Sequence, residues 1–239
     1  MKIKHVIVAP NTTGVDYFIG DIHGEHDVLM QQLDSVGFSR NSDRLFSVGD
    51  IIDRGPNSLE CLKLATEPWF YAVRGNHEDM SIDALEWTGD AGRYARALSY
   101  RNGGAWLDSI DEVEREQALA TLLSLPGALT IESNSGNKPI GVIHAGWRGY
   151  WADIINGEDI SNSEAEFALW ARKDRLGATR DNLLSFLVCG HQNIESPTVY
   201  GSHVCIDTLM RSGRLSVRSE GELRAIFAAQ PGLPSREKY

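Results

Sequence analysis

The chain has 239 residues, a formal charge of -10, and 42% apolar and 23% charged residues. That length suffices for a full core in one α/β domain, with or without an insertion. The acidic balance argues against non-specific attraction to nucleic acid, which needs a basic surface to displace counterions, but an anionic substrate stays open because divalent metals can reverse the local field.

The three cysteines, Cys61, Cys189 and Cys205, show no CxxC spacing and imply neither a zinc knuckle nor a disulfide framework. Reduced thiols in a cytoplasm are the simpler reading. Lys2, Lys4 and His5 precede a VIVA run too short for a signal peptide, and no stretch approaches the roughly 18–20 apolar residues of a membrane span. A soluble, cytoplasmic chain with no membrane partner is expected.

In chain order, residues 17–19 read as a buried strand ending at Gly20, followed by a helix over 25–36 with Gly37 as its stop. A second strand over 45–48 ends at Gly49. Asn57 can cap a helix over 58–65, and 69–73 is a third strand ending before Arg74. This βαβαβ pattern predicts a parallel or mixed sheet. Residues 79–125 read as a helical insertion, its clearest element starting at Asp111 as N-cap with Glu114 at N3. Strands return at 128–131 and 140–143, and Ser163 with Glu166 announces a helix over 164–172. From Phe186 the pattern gives short strands at 186–189, 198–200, 204–206, 215–218 and 223–227, then a loose tail at 230–239. One layered α/β domain over 1–239, carrying the insertion, is the expected organisation.

The polar residues gather where these strands end. Asp21 and His23 follow the first strand, Asp50 the second, Asn76 and His77 the third, while His144 follows IGVI and His191 follows FLVCG. Ligands of open α/β sheets bind beyond the carboxyl ends of strands. Carboxylate, amide oxygen and imidazole delivered there suit hard or borderline divalent metals. A single Gly-Asp is usually a turn, and a single histidine after a strand is usually structural, so the joint pattern carries the reading. His5, His26 and His203 lack such a context and read as structural.

GDIHG at 20–24, GDIIDRG at 49–55 and RGNHE at 74–78, in this order, resemble the phosphoprotein phosphatase branch of the metallophosphoesterases, nearest its small bacterial and bacteriophage-lambda-type members. The similarity continues through Asn102-Gly103-Gly104, His144-Ala145-Gly146, Trp170-Ala171-Arg172, Gly190-His191 and Ile206-Asp207-Thr208. It implies an α/β (α+β) fold, a four-layer β-sandwich flanked by helices. It also implies two divalent metals, Mn2+ first, with Fe, Zn or Co suiting the same donors. Asp21 and His23 would bind one metal, Asp50 would bridge, and Asn76, His144 and His191 would bind the other. Arg54, Arg74 and Arg172 would clamp phosphate, with Arg175 as a substitute for Arg172. His77 would be the general acid, oriented and held cationic by Asp53. The implied reaction is in-line attack on phosphorus by a bridging hydroxide, without a phosphoenzyme.

The implied substrate is a phosphoprotein or small phosphoester, with serine/threonine phosphatase activity the main reading. A dinucleoside tetraphosphatase or a broad phosphodiesterase on the same fold is the alternative. Asp53 favours the first, because symmetrical tetraphosphatases tend to lack that aspartate. A non-catalytic binding module would have lost ligands or the acid, and this sequence keeps them. After Asp207-Thr208 it has Leu209-Met210-Arg211-Ser212, where relatives commonly carry a Gly-Ala pair.

Overall fold

The computed structural model describes residues 2–134 and 136–230; the expected tail, apart from Gln230, lies outside the described residues. Two sheets form the centre. One is six-stranded, in the order β1 (His5–Val8), β5 (Ala128–Ile131), β6 (Ile140–Ile143), β7 (Leu187–Cys189), β9 (His203–Cys205) and β8 (Thr198–Tyr200). The other is four-stranded, in the order β10 (Val217–Ser219), β2 (Asp16–Ile19), β3 (Arg44–Ser47) and β4 (Phe70–Ala72). Here β2, β3 and β4 run parallel and β10 antiparallel, so the mixed sheet expected from the βαβαβ pattern is present.

Strand alternation builds the layers. In β2 and β3, Ile19 and Leu45 point into one core while Phe18 and Phe46 point into another. The first core lies under α1 (His26–Ser35), α2 (Ser58–Lys63), α3 (Asn76–Glu86) and α5 (Glu112–Ser124), through Leu29, Leu62, Ile82 and Leu122. The second lies between the sheets, where Phe18 and Phe46 meet Leu129, Val142, Val188 and Val204. Beyond the six-stranded sheet, Ile143 and Leu187 pack on Trp151 and Ile154 of α6 (Trp151–Ile155) and Ala168 of α7 (Asn162–Trp170). The result is helix, sheet, sheet, helix, with both sheet faces buried. Residues 79–125 are helical as expected, with α4 (Gly89–Arg101) and a 3-10 turn at Gly104–Asp108 joining α3 to α5. The Asp111–Glu114 capping box is formed.

Three expectations need correction. First, β1 has no counterpart among the expected elements. Its Val6 and Ile7 are 38% and 53% exposed, so it lacks alternation, and it is held by parallel pairing to β5 far along the chain. Second, α7 is capped by Ser161 with Glu164, not by Ser163 with Glu166. Both pairs have the same spacing, and the earlier one takes the cap. Third, residues 223–227 belong to a helix, α9 (Glu220–Ala228), whose N-cap Ser219 closes a capping box with Glu222. Leu223, Ile226 and Phe227 follow the i, i+3, i+4 rule and pack on the inter-sheet core, which a five-residue apolar pattern cannot distinguish from a strand. Between β9 and β10 the chain makes one short helical turn, α8 (Leu209–Ser212).

His203, at the start of β9, is fully buried, and its Nε2 accepts the Trp147 N–H at 2.9 Å. Burial pushes its pKa from the ordinary 6.5 down to about 4. The folded state thus favours the neutral ring: the stabilisation is complete above pH 6.5 and is lost as pH falls toward 4. Urea titrations of chelator-treated protein should show about 3 kcal/mol lost across that window from this residue, and His203→Gln should remove that share of the dependence while leaving the share of other buried histidines such as His144.

Candidate metal centre

The carboxyl ends of β2, β3, β4, β6 and β7 open on one side of the molecule, at the seam of the two sheets. From these ends come Asp21 and His23, Asp50, Asn76, His144 and His191, each no more than 6% exposed. Asn76 and His77 form the first turn of α3, which starts three residues earlier than the expected helical stretch. The loops are strained. Among the described residues, the non-glycine positions with positive φ are His23, Asp50, Asp53, Arg54, His191 and Asn193, every one in this centre. Such backbone costs on the order of 1–3 kcal/mol per residue and persists only where the surroundings over-determine it.

The surroundings here do so. Glu78, fully buried, accepts from Gly75 N at 2.7 Å, Asp50 N at 2.8 Å and Ile51 N at 2.9 Å, tying the β3 and β4 loops together. Burial and the neighbouring Asp50 charge raise its pKa to about 7. Close approach explains two glycines: a Cβ on Gly75 would lie 2.2 Å from Asp50 Oδ1, and one on Gly190 would lie 1.9 Å from Asp21 Oδ1. The Asp21 carboxylate instead accepts the His191 N–H at 3.1 and 3.2 Å.

Asp50 is the hub. Its ligand oxygens fall within 4.8 Å of His23 and His77 in one group and of His144 and His191 in another. His144 donates from Nδ1 to Val48 O at 2.8 Å, so its Nε2 keeps a lone pair, 3.5 Å from Asp50 Oδ1 and 2.9 Å from Asn76 Oδ1. Asn76 Oδ1 is also 2.9 Å from His191 Nδ1, while His191 Nε2 is buried without a hydrogen-bond partner. Burial pushes His144 down to about 4 and, with the neighbouring His144 and Arg172, His191 down to about 2, so both rings are neutral and need lose no proton to ligate. Converging lone pairs on N and O donors fit a divalent cation.

Arg54 donates from Nη1 to His23 Nε2 at 2.7 Å and from Nη2 to His77 Nε2 at 2.9 Å. A positive group is therefore already at home between these rings. His77 Nδ1 bonds Asp53 Oδ2 at 2.8 Å. Burial disfavours the His77 imidazolium, but the Asp53 hydrogen bond and the Asp50 and Asp53 charges outweigh it and raise its pKa. Arg172 donates to His191 O at 3.2 Å and, with Arg54, lines the cavity of about 80 Å³ over the centre. Arg175 instead lies over the Phe167 ring, 5.4 Å from its centroid.

Arg74, expected as a phosphate clamp, does not line this cavity. Its guanidinium donates to Leu123 O at 3.2 Å and Leu122 O at 3.4 Å, with Asp79 at 3.9 Å. These are last-turn carbonyls of α5, where a cation offsets the helix dipole. Several residues the motifs did not assign do reach the centre. Asn102, Trp170 and Asn193 line the cavity, and Trp170 stands edge-on to His191 at 5.9 Å. Asp207, buried, takes Asn193 N at 2.7 Å, and Trp106 donates from Nε1 to Asp53 Oδ1 at 2.7 Å. Glu78, Asn102 and Asp207 stood inside quoted motifs; for Trp106 no spacing signalled the contact.

The calcineurin-like phosphoesterase family model matches residues 17–220. A serine/threonine-protein phosphatase 2 from Salmonella typhimurium is 35% identical over 84% of this chain and 90% of its own length. A symmetrical bis(5'-nucleosyl)-tetraphosphatase from Buchnera aphidicola is 48% identical, but over 29% of this chain and 25% of its own. Among solved structures, a candidate diadenosine tetraphosphatase superposes with a TM-score of 0.61 at 22% identity, covering 92% of this chain and 95% of that one. That likeness establishes the four-layer fold.

If Arg74 serves α5, Arg74→Ala should lower unfolding free energy by about 1 kcal/mol. Its kcat/KM with Mn2+ should stay near the parent's; a loss of roughly 100-fold, as expected of a phosphate clamp, would return Arg74 to the centre.

Proposed function

The chain belongs to the calcineurin-like phosphoesterase family, and from that premise we propose that it is a metal-dependent phosphomonoesterase acting on phosphoserine and phosphothreonine in proteins. The observation that carries the reading is the Asp53–His77 pair at 2.8 Å, set beside an Asp50 carboxylate shared by two histidine groups. On this reading His77, which stands with His23 beside Asp50, is the proton donor, and Asp21 would take its place among the ligands of the first cation. The full-length similarity to a serine/threonine phosphatase supports the same substrate class.

Asp50 would bridge two divalent cations, with Asp21 and His23 on one side and Asn76, His144 and His191 on the other. When bound, the pair supplies a water of lowered pKa and polarises the phosphoryl oxygens. The chain's own groups do the rest. Arg54 and Arg172 offer planar N–H pairs to the phosphate oxygens. In the structure Arg54 donates to His77 Nε2, so that nitrogen accepts. Turned toward a phosphate, the guanidinium leaves Nε2 free to carry the proton that the departing oxygen needs. Asp53 at Nδ1 keeps the ring oriented and favours its cationic form. Manganese is the proposed metal on the family resemblance alone, since the N/O donors suit Fe, Zn or Co as well. The three buried free thiols fit a reducing cytoplasm, where we place the protein.

A second reading, dinucleoside tetraphosphate hydrolysis, is favoured by the short matches to symmetrical tetraphosphatases and by Trp170, 41% exposed at the cavity rim, where a base could stack. One assay separates the two: kcat/KM for a phosphoserine peptide, diadenosine tetraphosphate and nitrophenyl phosphate, all with Mn2+. The peptide should lead; a lead for the dinucleotide transfers the assignment.

Two substitutions test the site. Asp50→Asn should weaken Mn2+ binding and cut turnover more than roughly 100-fold, and undiminished turnover would sink the bridging role. Arg54→Ala should cost roughly 100-fold in kcat/KM with Mn2+ affinity retained; a variant as active as the parent leaves the clamp to other residues.

A further inference from the structure

Asp53 is fully buried, and each of its carboxylate oxygens has its own partner: Oδ2 meets His77 Nδ1 at 2.8 Å, and Oδ1 takes the Trp106 indole N–H at 2.7 Å. Rotation about the bond to a carboxylate is broad and soft. One hydrogen bond to a mobile imidazole would leave that plane free to turn, whereas a second bond at the opposite oxygen fixes it. The anchor is itself fixed. Trp106 sits on the 3-10 turn Gly104–Asp108 beside Leu107, which is 7% exposed in the helical core. The same segment holds the next residue's backbone, Gly103 O accepting from Arg54 N at 3.1 Å. The two are packed tightly enough that a Cβ on Gly103, with φ 102°, would lie 2.5 Å from Arg54 N.

A half-buried indole such as that of Trp106 commonly takes whatever acceptor is near, so a contact alone would mean little. Here the acceptor is the carboxylate that holds the proposed acid, on a residue with φ 70° whose N–H is also bound, by Ser58 Oγ at 2.9 Å. We propose that Trp106 is a positioning residue for proton transfer: by pinning Asp53 Oδ1 it sets the direction in which His77 delivers its proton to the leaving oxygen. The inference rests on the reading of His77 as general acid.

An acid matters in proportion to how poor the leaving group is. The full-length, Mn2+-saturated protein is therefore assayed on aryl phosphates running from nitrophenyl to phenyl, and on a phosphoserine peptide. The variants are Trp106→Phe and a protein carrying 3-benzothienylalanine at position 106, which keeps the indole's shape without its N–H, so a folding defect in the first does not stop the test. Both should lose roughly 10-fold on phenyl phosphate and on the peptide while losing far less on nitrophenyl phosphate, with unchanged Mn2+ affinity. Placed on Asp53→Asn, the same changes should add no further leaving-group dependence. Equal losses across the series, or none, would overturn the positioning role. His77→Asn keeps the two readings apart. A steep leaving-group dependence there beside a parent-like 106 variant defeats the Trp106 inference alone, while a flat one defeats the acid assignment itself.

Discussion

The candidate metal centre depends on one buried carboxylate that is not itself a proposed ligand. Glu78 receives three backbone N–H groups, from Gly75, Asp50 and Ile51, and so closes the loop after β3 onto the start of α3. Each is a hydrogen bond to an acid removed from water, where an unmet donor would cost about 1–3 kcal/mol. Release of that clamp would free Asp50 from its φ of 49° and separate it from His77, whose own N–H is held by Asp50 Oδ1 at 3.0 Å. The two histidine pairs beside Asp50 follow strands of different sheets, His23 and His77 the four-stranded one and His144 and His191 the six-stranded one, and Asp50 can face both only while this loop is held.

Strain is affordable here because it is surrounded. Six non-glycine residues with positive φ stand at the rim of two sheets whose shared core, from Phe18 and Phe46 to Val188 and Val204, is almost wholly buried. Burial at about 25 cal/mol per Å² over such a core outweighs several strained residues. It also explains why the proposed ligand histidines are neutral: the same low-dielectric setting that holds the loops pushes His144 to about 4 and His191 to about 2. Packing and ligand readiness thus have one physical origin.

Much of this could be read from the sequence because motif and strand end coincide. The turns after β2, β3 and β4 need glycine and a short acid or amide, so both the local fold and the donor set are written in the same five to seven residues. What escaped was partly a local signal and partly a long-range one. Helix α9 is decided by Ser219 and Glu222 and by the core it covers, β1 by a partner more than a hundred residues away, and the α7 start by which of two equal capping pairs fits the preceding chain. Residue type did not separate Arg54 from Arg74 either. Both lie inside metal motifs, yet Arg54 leaves a loop with φ 71° that turns it inward, whereas Arg74 N is bound to Pro126 O at 2.7 Å and its side chain meets the end of α5.

That last contrast bears on what residues 79–125 are for. A cap that gripped substrate would present side chains to the cavity; of this stretch, the cavity is lined by Asn102. Its stronger contacts run behind the site: Leu122 and Leu123 carbonyls to Arg74, Gly103 O to Arg54 N, and Trp106 to Asp53. Each partner lies in or beside a metal motif, and two of them carry strained backbone. Removal of such a brace would leave every proposed metal ligand in the chain and still loosen the Asp53–Arg54 turn. On the proposed reading, metal retention and turnover should therefore be separable, the first resting on the loops at the seam of the sheets and the second also on the helices behind them.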